Sequence, residues 1–144
     1  MPHTALHPTP TLQPPPGTDM SRLEHLRRCA QRCRLCPRQS CDALCLALRQ
    51  TAAEADGDAF ACALLRVLPE ALGKRLVLHR PGSAELSFDE AWLLRLIDAA
   101  EREDADTLSF ALTSRVHPAL RRSVRFLVGG LVAPVDAPPR QAAC

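Results

Sequence analysis

Five of the seven cysteines fall within seventeen residues, at the spacing Cys29-x3-Cys33-x2-Cys36-x4-Cys41-x3-Cys45, with Cys62 and Cys144 apart. Thiolates at such density are soft ligands, and four of them close a tetrahedral zinc site or hold an iron–sulfur cluster. The expected ligands are Cys33, Cys36, Cys41 and Cys45, with Cys29 one turn away as a substitute. Arg27, Arg28, Arg32, Arg34 and Arg38 surround them. Their charge would offset a four-thiolate site and favour the deprotonated thiol. Only Cys33-x2-Cys36 has the C-x2-C knuckle of structural zinc. The irregular, numerous ligands therefore lean toward an iron–sulfur cluster, with zinc the other candidate.

Two further chemistries use the same residues. The i, i+4 pairs Cys29/Cys33 and Cys41/Cys45 suit inter-helix disulfides or an oxidant-sensing thiol. Alternatively, cysteine is a small apolar residue, and these positions continue leucine stripes as core. Cys62 reads as core, and Cys144 as an exposed thiol. His25, one turn before Cys29, is either an auxiliary ligand or a solvated surface side chain.

Arg115, Arg121, Arg122 and Arg125 form a second cluster. They mark a face for a protein partner, or, with less support, for nucleic acid. Residues 108–128 read helix, break, helix, superficially a helix-turn-helix, but without the usual glycine in the turn. Single-stranded binding lacks its aromatic platforms. No Ser–His–Asp set, glycine-rich phosphate loop or poised acid–base pair is visible, so an enzyme is not expected.

The elements that position these residues are helices. Residues 1–19 carry six prolines and no periodicity, and are expected to form a disordered arm. Met20 opens a normal-looking start, which suggests translation from there. Ser21 to about Leu35 reads as a helix, with Ser21 and Glu24 as a capping box. Pro37 ends it, and a second helix, 41–55, completes an antiparallel Cys-rich hairpin over 20–56. A compact bundle follows over 57–130. Its first helix is capped by Asp58, carries Phe60, Leu64, Val67 and Leu68, is distorted or split near its end by Pro69 and stops at Gly73. Residues 75–88 read either as a short β-hairpin or as an extended loop. Ser87 and Glu90 form a capping box for a helix bearing Trp92, Leu93, Leu96, Ile97 and Ala100. A shorter helix follows from Asp104. The last begins at Pro118 and stops at Gly129-Gly130. Residues 131–144 read as a disordered Pro-rich tail.

The chain has 144 residues, 47% hydrophobic but only 3% aromatic. A core this poor in rings and rich in Leu and Ala favours an all-α fold. The net charge of +2 hides an uneven distribution: +5 over 20–50, −6 over 51–110 and +4 over 111–144. No apolar run approaches the roughly 20 residues of a membrane span, and the first twenty residues lack a secretory pattern. The sequence thus points to a small cytoplasmic accessory or regulatory protein of bacterial character. It would bind an iron–sulfur cluster or zinc and act through a protein partner. A metal-free helical adaptor and a small DNA-binding regulator are the alternatives.

Overall fold

A computed structural model describes residues 12–33 and 57–133. Within them the fold is all-α. The helices are α1 (Ser21–Cys33), α2 (Gly57–Leu72), α3 (Phe88–Glu101), α4 (Ala105–Arg115) and α5 (Arg121–Val132), with a 3₁₀ turn at Pro118–Leu120 before α5. No strand occurs among the described residues. The second helix of the expected hairpin, and with it Cys36, Cys41 and Cys45, lies outside them.

The leucine spacing builds the core as periodicity requires. Leu23, Leu26 and Cys29 bury one face of α1, and Phe60, Leu64, Val67 and Leu68 one face of α2. Trp92, Leu93, Leu96 and Ile97 bury one face of α3, and Leu108, Ala111 and Leu112 one face of α4. Helix α5 adds Val124, Leu127, Val128 and Leu131. It packs against α2, which also carries α1, while α3 packs on α4 and α5. The Trp92 indole N–H donates to the Ala111 carbonyl at 3.1 Å, so its polar edge is satisfied inside the core.

Several helix ends differ from the sequence reading. Ser21 and Glu24 do not form a capping box: the Asp19 carboxylate accepts from the Ser21 N–H at 2.9 Å. The Glu24 carboxylate instead leaves its own helix and accepts from the Gly82 N–H. Pro69 does not split α2, which continues to Leu72. Three residues from the end, its missing N–H and ring disturb little of the remaining helix. There Gly73 takes φ 67°. The bonds Lys74 N–H to Pro69 C=O and Gly73 N–H to Glu70 C=O close a Schellman motif. The Ser87/Glu90 capping box forms as expected.

Residues 75–88 take the loop option. Their backbone groups are claimed by side chains: Val77 N–H by Asp89, His79 N–H by Glu90, and Val77 C=O by the Ser87 hydroxyl. Leu86 instead exchanges both backbone bonds with Leu12, at 2.7 Å each. The Pro-rich arm was expected to be unstructured through residue 19. From Leu12 onward it is seated, because that pairing and the buried Leu86 give it an anchor.

Gly129 and Gly130 do not stop the last helix; α5 passes through both to Val132. Gly130 is required by packing, since a Cβ there would overlap the Phe60 ring. That ring is buried and held edge-on to Phe126, with centroids 5.7 Å apart, and so has little room to swing away. Gly129 has open space beside it. The two substitutions should therefore have opposite signs. Gly129→Ala should stabilise by about 0.5–1 kcal/mol through helix propensity. Gly130→Ala should destabilise by about 1–3 kcal/mol through overpacking. Urea unfolding of the two variants, side by side, checks both signs.

Candidate metal centre

Helix α1 presents His25 and Cys29 on one face, because residues four apart stack on successive turns. Helix α2 packs against it and offers Asp58 from its first turn. The three side chains converge: His25 Nε2, Cys29 Sγ and an Asp58 oxygen all lie within 4.8 Å of one another. His25 Nε2 is hydrogen-bonded to Asp58 Oδ1. Cys29 Sγ is 4.0 Å from the same oxygen. A tetrahedral ion with bonds of about 2.0–2.3 Å holds its ligand atoms roughly 3.5 Å apart, so small side-chain adjustments close the site. His25 and Asp58 have the freedom to make them, being partly exposed, while Cys29 is fully buried at its base.

The electrostatics suit a cation with mixed donors. Burial pushes the Cys29 thiol up from its ordinary value; the nearby Cys62 and Asp58 charges add to this, and Arg32 opposes it. The hydrogen bond from His25 holds the Asp58 carboxyl low, with Arg32 adding to the effect. Arg32 Nη2 is 3.1 Å from Cys29 Sγ and 3.7 Å from Asp58 Oδ2. Its side chain is 60% exposed, free to move aside when a metal ion replaces it as the local positive charge. Cys62 lies one turn beyond Asp58 on α2, close enough for its charge to act on Cys29. Thus His25-x3-Cys29 on α1 faces Asp58-x3-Cys62 on α2. This doubled i, i+4 spacing was readable in the sequence, but Asp58 was accounted for as a helix cap and Cys62 as core.

Among the described side chains, Cys29 is the ligand expected from sequence that belongs to this site. Cys33 ends α1, and Cys36, Cys41 and Cys45 lie outside the described residues.

The four arginines singled out from sequence separate into two roles. Arg115 is structural. Its Nη2 donates to Asp89 at 2.7 Å, and its guanidinium lies 5.2 Å from the Phe88 ring centroid and 5.0 Å from that of Trp92. Arg121, Arg122 and Arg125 line an open cleft between α4 and α5.

Sequence reasoning missed a buried cation. Arg27, expected to be part of a cationic surround for the cysteines, is 1% exposed. Its guanidinium spends all five N–H donors: two on Glu90, one on Glu24, and one each on the Ser83 and Glu85 carbonyls. Glu90 also accepts from the Ser87 and His79 backbone N–H groups. Burial raises the Glu90 carboxyl, but Arg27 and these two N–H groups outweigh it and hold it below its ordinary value. The network fixes α1 against the start of α3 and so sets the face that carries His25 and Cys29.

No family model, curated protein or solved structure matches this chain. No helix of the described residues is long and apolar enough to cross a membrane.

Proposed function

We propose that this is a small zinc-binding accessory protein of the cytoplasm, acting through a protein partner. The ion is held by His25, Cys29 and Asp58. The convergence of three donor atoms from two helices within 4.8 Å carries this reading. A nitrogen, sulfur and carboxylate set is a zinc set, whereas iron–sulfur clusters are held overwhelmingly by thiolates. Cys29 and Asp58 are 29 positions apart in sequence. An ion bridging them closes a long loop and adds stability to a protein with little aromatic core. The role of the ion is structural, fixing the α1–α2 pair on which a partner-facing surface is built.

The test is zinc stoichiometry and affinity, by elemental analysis and competition with a chromophoric chelator. The wild type should hold zinc, and a variant with Cys33, Cys36, Cys41 and Cys45 all changed to serine should still hold about one ion per chain. Cys29→Ala and Asp58→Ala in that background should each weaken binding by at least tenfold. Loss of all zinc in the four-serine variant would move the metal to the cysteine cluster and refute the site described here.

A further inference from the structure

We propose that the cleft between α4 and α5 is a binding site for a phosphomonoester dianion. This does not depend on the zinc site. The cleft, of about 280 Å³, is lined by Ser109, Leu112 and Thr113 from α4 and by Arg121, Arg122 and Arg125 from α5. Three guanidinium groups share it, and none forms an ion pair among the described residues. Arg121 donates from Nε to the Val116 carbonyl at 3.0 Å and from Nη2 to the Thr113 carbonyl at 3.3 Å. Arg125 Nη2 donates to the Ser109 hydroxyl at 2.6 Å. These bonds hold two of the three side chains in place while leaving most of their N–H donors unspent. Preorganised guanidinium forks are the groups that bind phosphate oxygens in pairs.

A second observation points the same way. Helix α5 opens on Arg121 and Arg122 and has no acidic residue in its first turn, its side-chain cap being the neutral-acceptor nitrogen of His117 on the 3₁₀ turn that runs into it. Cations at a helix N-terminus oppose the helix dipole, and three of them in one cleft repel one another. A bound dianion relieves both. A phosphomonoester carries close to two negative charges at neutral pH and three acceptor oxygens, which matches three arginines and a serine hydroxyl.

The same geometry argues against the DNA-binding alternative. A recognition helix projects its arginines outward into a groove. Here Arg121 and Arg125 fold back over α4 along an open cleft with room for a single phosphoryl group and a short substituent. That group belongs either to a free phosphate compound or to a phosphorylated side chain of a partner.

The test uses the full chain, titrated at low ionic strength and followed by the arginine Nε–Hε resonances. The probes are inorganic phosphate, a phosphoserine peptide, its unphosphorylated form and a 20-base-pair duplex. Saturable shifts with inorganic phosphate are expected, and Arg122→Gln and Arg125→Gln should each weaken binding by about tenfold or more. Thermal unfolding confirms that these surface variants fold. A phosphopeptide that binds more tightly than phosphate, with the unphosphorylated form silent, assigns the ligand to a modified partner. Equal affinities assign it to the free anion. Absence of saturable phosphate binding, unchanged affinity in both variants, or preferential duplex binding with a steep salt dependence would each overturn the proposal.

Discussion

Arg27→Ala should destabilise the fold by about 3–5 kcal/mol, because it leaves Glu90 buried without its cationic partner. That is a large share of the roughly 5–15 kcal/mol by which a domain is stable. The geometry accounts for the size of the effect. Both side chains are essentially inaccessible, and the Arg27 Nε–Glu90 Oε2 bond is 2.7 Å. Alanine also strips the Ser83 and Glu85 carbonyls of their donors, loosening the loop that precedes α3. A double replacement, Arg27→Met with Glu90→Gln, should recover much of the loss. Glutamine can still accept from the Ser87 N–H, and no charge is left stranded. Equilibrium urea unfolding of the wild type, both single variants and the double variant gives the coupling directly. Additive losses in the double variant would show that the pair does not act as a unit.

The same network sets an acid limit. Glu90 and Asp89 both sit below their ordinary values. Burial raises Asp89, but Lys74, the Val77 N–H and Arg115 together outweigh it. Such carboxyls bind fewer protons folded than unfolded across the range between their folded and ordinary values. Their contribution is therefore fully present above the ordinary carboxylate range and is lost as pH falls through the lowered folded values. Arg27→Met/Glu90→Gln should show a shallower loss of stability on acidification than the wild type.

Zinc should stabilise the wild type by about 4 kcal/mol when free metal is about a thousandfold above the dissociation constant. Thermal unfolding with and without zinc measures this. Cys29→Ala should abolish most of the increment, and Asp58→Asn should reduce it, since an amide oxygen is a weaker ligand than a carboxylate. Arg32→Ala should leave it intact or raise it, because that residue competes with the ion for Cys29 and Asp58. A zinc increment that survives in Cys29→Ala would place the metal elsewhere.

The parts legible in the sequence were those set by local rules. Leucine periodicity gave the buried faces of α2 and α3, the Ser87/Glu90 pair gave a helix start, and Gly73 gave a helix end. What escaped is non-local. Glu24 has the spacing of a capping box, yet it is drawn across the fold to the Gly82 N–H while also accepting from Arg27 on its own helix. Arg27 looks like any solvated arginine until Glu90, 63 residues later, is placed beside it. Gly130 reads as a helix stop unless the Phe60 ring against it is known. In the candidate metal site, His25 and Cys29 were visible as a one-turn pair. Asp58 and Cys62 carried the same spacing, but only the packing of α1 on α2 brings the two pairs together.

The most direct measurement is X-ray absorption at the zinc edge on the zinc-loaded, full-length protein. The account requires a mixed shell, with one or two sulfur ligands at about 2.3 Å and the rest nitrogen or oxygen at about 2.0–2.1 Å. A shell of four sulfurs would place the ion among Cys33, Cys36, Cys41 and Cys45, and contradict the His25–Cys29–Asp58 site.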